Sequence, residues 1–212
     1  MNFEIFDLGL IDFKKALDFQ RQTHREVESG KINSAVIFCR HNPVITLGRT
    51  AKKENILISQ VQLKDKGIGL YKIERGGDVT YHGPGQLMIY PVLNLNFFRK
   101  DLHWFMRKLE DLGIWLLGEF GAASQRIAGK TGVWCDERKI ASIGITVRKW
   151  VSSHGLAINI NRQDLANFSL IRPCGMDIMM TSLESELDRE IDFSEVTATL
   201  KRRLQNDQSV FA

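Results

Sequence analysis

The 212-residue chain predicts an α+β fold, organised as one domain over residues 1–212. Helical and strand patterns both occur but do not alternate regularly, which argues against a doubly wound parallel sheet. The helical stretches carry apolar residues at three- and four-residue steps. The rest reads as short apolar or alternating runs punctuated by Gly and Pro. A hydrophobic fraction of 43% is ordinary for a chain that buries a real core.

Residues 2–7 alternate as a strand does. Residues 11–28 place Phe13, Ala16, Leu17, His24 and Val27 on one side of an amphipathic helix, which Gly30 is suited to end. Ser34–Arg40 and Val44–Arg49 read as two strands bridged by the turn signal His41-Asn42-Pro43. Gln60–Lys66 reads as a short helix, and Ile68–Glu74 as a strand leading into a glycine-rich segment. Leu87–Leu93 is a buried strand. Leu102–Phe120 is the clearest helix, with Phe105, Leu109, Leu112, Leu116 and Phe120 in register and Gly121 at its end. Val133–Val147 and Ala157–Ile160 read as strands, with a hairpin tip at Asp136-Glu137-Arg138 and a turn around Ser152–Gly155. Ser194–Gln205 closes the chain as a helix with Val196, Leu200 and Leu204 inward.

A formal net charge of +4 and a pI near 9.0 favour acidic partners of any kind. No block of five like charges marks a nucleic-acid tail. Glu4 and Asp7 stand where a signal peptide would be basic, and no apolar run suffices to cross a bilayer. A cytoplasmic protein with no membrane or nucleic-acid partner is expected. Three cysteines with no CxxC pair fit reduced thiols. No HExxH motif or close Cys/His cluster appears, so neither metal nor cofactor is expected.

Side chains able to bind or do chemistry concentrate in Arg75-Gly76-Gly77-Asp78-Val79-Thr80-Tyr81-His82-Gly83-Pro84-Gly85-Gln86. Glycine permits sharp turns and close backbone approach to a ligand at an entropic cost. Incurring that cost repeatedly beside so many polar side chains points to a site, although a tight hairpin needs some of the same residues. The segment lacks the Lys-Ser/Thr of a P-loop and the third glycine of a dinucleotide fingerprint.

Among the thiols, Cys39 sits in an apolar strand and reads as a small buried hydrophobe. Cys135 adjoins the charged tip, where an exposed position is open to it. Cys174 lies in Arg172-Pro173-Cys174-Gly175-Met176, a turn that suits either an exposed nucleophile or a structural thiol in a loop. A cysteine nucleophile needs a base or a cation beside it. His82, His154, Lys130 and Lys139 are the candidates. Lys139 opens Lys139-Ile140-Ala141-Ser142-Ile143-Gly144, where strand alternation points it either inward or into solvent.

Taken in order, Arg75–Gln86, Lys139–Gly144, His154-Gly155-Leu156-Ala157 and Pro173-Cys174-Gly175 resemble the motifs of the lipoyl(octanoyl) transferases, in the biotin/lipoate protein ligase superfamily. Gly48-Arg49 and Glu54–Leu57 fit the same pattern. The resemblance implies a mixed, largely antiparallel central sheet with flanking helices. It implies transfer of an octanoyl or lipoyl group from acyl carrier protein to a lysine of lipoyl domains or of the glycine-cleavage carrier protein. Cys174 would be the acyl-accepting nucleophile and Lys139 its dyad partner. Arg75, Gly76, Gly77, Asp78, Val79, Thr80, Tyr81 and His82 would line the acyl site. Ser142, Ile143 and Gly144 would join them, with Gly155, Leu156 and Ala157. An ATP-dependent lipoate or biotin ligase and an amidotransferase between lipoyl carrier proteins are the alternatives on the same fold.

Overall fold

Two sheets of unequal size organise the chain in a computed structural model that describes residues 3–173, 178–207 and 209–211. The larger is built from β1 (Glu4–Ile11), β2 (Ser34–His41), β6 (Gln86–Leu93), β7 (Gln125–Ile127), β8 (Lys130–Cys135), β9 (Arg138–Arg148) and β10 (Val151–Asn159). Their order is β1-β2-β6-β10-β9-β8-β7. Only β1 and β2 run parallel, so the sheet is mixed and largely antiparallel as expected. The smaller sheet takes β3 (Val44–Leu47), β4 (Gly69–Lys72) and β5 (Val79–His82) in the order β4-β3-β5.

Period-two alternation splits the large sheet into two buried faces. Val36, Phe38, Leu87, Ile89, Leu156 and Ile158 point to one face, where helices α3 (Leu102–Glu119) and α5 (Phe193–Asn206) lay down Phe105, Leu109, Leu116, Val196 and Leu200. Ala35, Ile37, Met88, Tyr90 and Ala157 point to the other, where α1 (Phe13–Glu28) supplies Ala16 and Val27. Each of these helices starts on an aspartate that accepts a backbone N–H: Asp12 from Lys15, Asp101 from Trp104 and Asp192 from Ser194. The side-chain oxygen satisfies a donor that the first turn cannot. The short α2 (Gln60–Asp65) starts on a Ser59/Gln62 capping box.

Two sequence expectations are corrected. β2 and β3 do not form a hairpin. After Asn42-Pro43 the chain changes sheets, and Val44 pairs with Gly69 and His82. The turn placed at Ser152–Gly155 lies instead at Lys149-Trp150, both at positive φ, and Val151–Asn159 is one strand. Opposite it β6 carries Pro91, which has no N–H for the ladder. The Ser152 hydroxyl takes over, accepting from Leu93 N at 2.9 Å and donating to Pro91 O at 2.8 Å. A strand maintained by a side chain looks like a Ser/Gly turn in sequence. The short β5, β7 and α4 (Leu183–Leu187) were not anticipated.

Candidate active site

The small sheet and its glycine-rich approach pack against the α1 face of the large sheet, and a cavity of about 90 Å³ lies between them. One wall is Arg75, Gly76, Gly77, Asp78, Val79, Thr80 and His82. The facing wall is Lys139, Ser142, Ile143 and Gly144 from β9, with His154, Gly155 and Ala157 from β10. Phe13, Ile73, Met88 and Tyr90 add apolar surface and one hydroxyl, and Pro173 closes the perimeter. The structure therefore gathers segments separated by about a hundred residues around one cavity.

Tyr81 and Leu156 do not line it, and strand alternation is the reason. Tyr81 is fully buried on the far side of β5 against Phe168. Its hydroxyl donates to Asp164 Oδ1 at 3.1 Å, and Asp164 Oδ2 accepts from Gly85 N at 2.5 Å. Tyr81 thus helps to anchor the Gly83-Pro84-Gly85 turn. Leu156 points into the α3 face of the sheet. Cys174, with Gly175, Met176 and Asp177, lies outside the described residues.

Arg75 is a buried cation at the cavity wall. Its Nη2 donates to Thr46 O at 2.7 Å and to Thr46 Oγ1 at 3.0 Å, and its Nη1 to Gly76 O at 3.0 Å. Its stem crosses Gly144, where a Cβ would stand 2.9 Å from Arg75 Cδ. Asp78, which reads in sequence as a binding carboxylate, is committed to folding. It accepts from Val79 N at 2.7 Å, from Lys52 N at 3.2 Å and from the Asn55 amide. Gly155 lets β10 approach β6: a Cβ there would sit 2.2 Å from Ile89 O and 2.9 Å from Pro91 Cδ.

The histidines are disarmed as bases. Burial, then the neighbouring His41 and Arg75, lowers His82 to about 3. Burial and then Arg75 lower His154 to about 4. His154 sits at φ +59 within β10, and its N–H donates to Gln20 Oε1 at 3.0 Å. His41 was not foreseen as part of this group. Burial lowers it to about 4. Its Nδ1 meets Ile11 O at 3.2 Å, and because a carbonyl only accepts, that nitrogen carries the proton. Nε2 then accepts from Tyr90 O–H at 2.9 Å. Polar residues that brace a site from behind carry no motif, so sequence offered no signal for His41, Thr46 or Gln20.

This burial has a consequence for stability. The unfolded histidine titrates near 6.5 and the folded one lower, so acid protonates the unfolded state first. Stability is expected to be full above about pH 7 and to fall as pH drops from 6.5 toward 4 for His41 and His154, and toward 3 for His82. Each histidine contributes a slope of roughly 1.4 kcal/mol per pH unit inside its window. Urea melts at pH 7.5, 6 and 5 check this; an unfolding free energy that stays flat or rises toward pH 5 contradicts it.

Lys139 lies on β9 with its Nζ 5.3 Å from the centre of the Trp134 ring. Its backbone is clasped from outside the sheet: Lys139 N donates to Met179 O at 2.8 Å, and Thr181 N donates to Lys139 O at 3.0 Å. Lys130, the other lysine candidate, is exposed and does not line the cavity. Cys39 is buried, and desolvation pushes its thiol up. Cys135 is also buried, correcting the exposed position left open for it: burial and then Glu186 push its thiol to about 12. Among the described residues no group of three or more His, Cys, Asp or Glu could hold a metal ion. None of the described helices is long and apolar enough to cross a membrane.

The architecture is that of lipoate and biotin protein ligases. A crystal structure of lipoate-protein ligase A bound with ATP superposes with a TM-score of 0.80 at 18% identity, covering 95% of this chain and 83% of that one. Biotin protein ligase from Aquifex aeolicus follows at 0.53 and 14%, covering 100% and 70%. In sequence, an octanoyltransferase of Christiangramia forsetii is 40% identical over 95% of this chain and 94% of its own length. Residues 12–205 match the lipoyl protein ligase A/B catalytic domain, and the chain belongs to that family.

Proposed function

We propose that the chain performs the octanoyl transfer of protein lipoylation through a thioester on Cys174, with Lys139 as the proton-handling partner. The donor is octanoyl-acyl carrier protein. The acceptor is a lysine of lipoyl domains or of the glycine-cleavage carrier protein. The supporting observation is where the chain leaves and re-enters the site. Pro173 lines the cavity, and Met179 and Thr181 hold the backbone of Lys139, so the described residues on either side of Cys174 meet the cavity wall.

The octanoyl tail lies against the apolar side chains of Phe13, Ile73 and Met88, with each buried methylene worth about 0.8 kcal/mol. The Cys174 sulfur attacks the thioester carbonyl, a new S–C bond forms, and the carrier thiol leaves with a proton. The target amine then attacks the acyl-cysteine, the amide forms and the Cys174 thiol is restored. Splitting the transfer in two is covalent catalysis. Lys139 stabilises the thiolate as an ammonium, or takes the proton of the thiol or incoming amine when neutral. With the cavity histidines held neutral by burial, Lys139 is the basic side chain of the described wall suited to this work. A thioester is already activated, so ATP has no part. The net positive charge speeds encounter with acidic carriers.

Incubating the protein with octanoyl-acyl carrier protein, without acceptor or ATP, tests this. Peptide mass spectrometry is expected to find one octanoyl group on Cys174. Label on Cys135, no label under turnover, or transfer that needs ATP and free octanoate would overturn the reading, the last in favour of a ligase.

A further inference from the structure

We infer that Gly132 is a positioning residue for Lys139, its missing side chain forming the seat across which the lysine stem lies. The inference rests on the proposed role of Lys139 and adds what sets that side chain's direction. Gly132 is on β8, the strand beside Lys139. A Cβ built on it would stand 2.7 Å from Lys139 Cε and 3.4 Å from Nζ. Carbon atoms do not approach to 2.7 Å, so a methyl group there cannot coexist with the lysine in its present place. The pairing register of β8 and β9 shifts here, Val133 facing Ala141 and Trp134 facing Lys139, so the extra residue is Ile140 on β9, next to Lys139.

The seat is fixed from below. Gly132 N donates to Glu110 Oε1 at 3.0 Å. Glu110 is on α3, 1% exposed, and its other oxygen accepts from Arg107 at 2.5 Å and Arg126 at 2.9 Å. A buried, doubly paired carboxylate is costly to move, and its bond helps to hold the Gly132 backbone in place. Trp134 supplies the far side: the Lys139 ammonium lies over its ring, and Lys130 Nζ lies over the same ring at 5.4 Å. Attraction of a cation to the ring face helps to hold the lysine head once the stem is seated.

Gly132 also has a backbone reason to be glycine. Its φ is +124, and the same Cβ would meet Ala141 O at 2.5 Å, so loss of activity in Gly132→Ala alone would not distinguish aim from fold. A double-mutant cycle does. Single-turnover acylation by octanoyl-acyl carrier protein is measured for wild type, Gly132→Ala, Lys139→Ala and the double variant. Gly132→Ala is expected to slow acylation at saturating donor by roughly 10- to 100-fold with KM within two-fold, as expected when catalytic geometry is lost. In the Lys139→Ala background the same change is expected to cost less than two-fold.

An equal loss in both backgrounds would assign Gly132 to the fold alone, and no loss beside Lys139 would remove the seat; either overturns the inference. A wild-type rate for Lys139→Ala would instead overturn the dyad itself. Where Gly132→Ala does not fold, Trp134→Phe and Trp134→Leu replace it. The phenylalanine variant is expected to keep most of the rate. The leucine variant is expected to lose at least five-fold, and only when Lys139 is present. Equal rates for the two would refute the positioning role.

Discussion

Cys174→Ala is expected to lower octanoyl transfer by roughly a thousand-fold or more, the scale seen when a covalent nucleophile is removed. The cooperative thermal transition is expected to stay within a few degrees of wild type. The other two thiols cannot substitute. Cys39 lies within the β2 face among apolar side chains, and Cys135 holds its proton up to about pH 12. The thiolate is the attacking species, so neither is available at neutral pH. Cys39→Ala and Cys135→Ala are accordingly expected to keep transfer within a few-fold, apart from any cost in stability. Turnover by Cys174→Ala within ten-fold of wild type, measured with octanoyl-acyl carrier protein and a lipoyl domain, would reject the acyl-cysteine route.

The sequence discloses this site unevenly, for physical reasons. Glycines and residues in contiguous motifs are legible because close approach leaves few alternatives: Gly144 lies under Arg75 and Gly155 under Ile89 O. The helices are legible because their buried stripes repeat, as Phe105, Leu109, Leu112 and Leu116 do on α3. Orientation within a motif is not. Tyr81 and Leu156 stand among cavity-lining neighbours yet face away, and one residue of register decides that. The change of sheet at Asn42-Pro43 and the strand through Ser152–Gly155 depend on long-range pairings that local turn signals oppose. His41, Thr46 and Gln20 act by packing behind the wall, a role that leaves no pattern in one chain.

Lys139→Ala is expected to fold normally and to lose transfer by roughly 10²- to 10⁴-fold, the range for removing a positioned acid–base group. The fold should survive because what anchors this stretch is backbone: Met179 O and Thr181 N hold Lys139 N and O, and alanine keeps both bonds. What the side chain adds is its ammonium over the Trp134 ring, so the cost in stability should be about 1 kcal/mol, the scale of an exposed cation–π contact. The loss should fall on both half-reactions, acylation by the donor and transfer to the acceptor, because each moves a proton on or off an attacking atom. Raising the pH should recover part of the acylation rate, since solvent then supplies the thiolate that the lysine no longer stabilises. Stopped-flow acylation and acceptor transfer, measured separately from pH 6.5 to 9.5, check this. A variant with a wild-type melting curve and wild-type rates would remove Lys139 from the chemistry and return it to a structural role over Trp134.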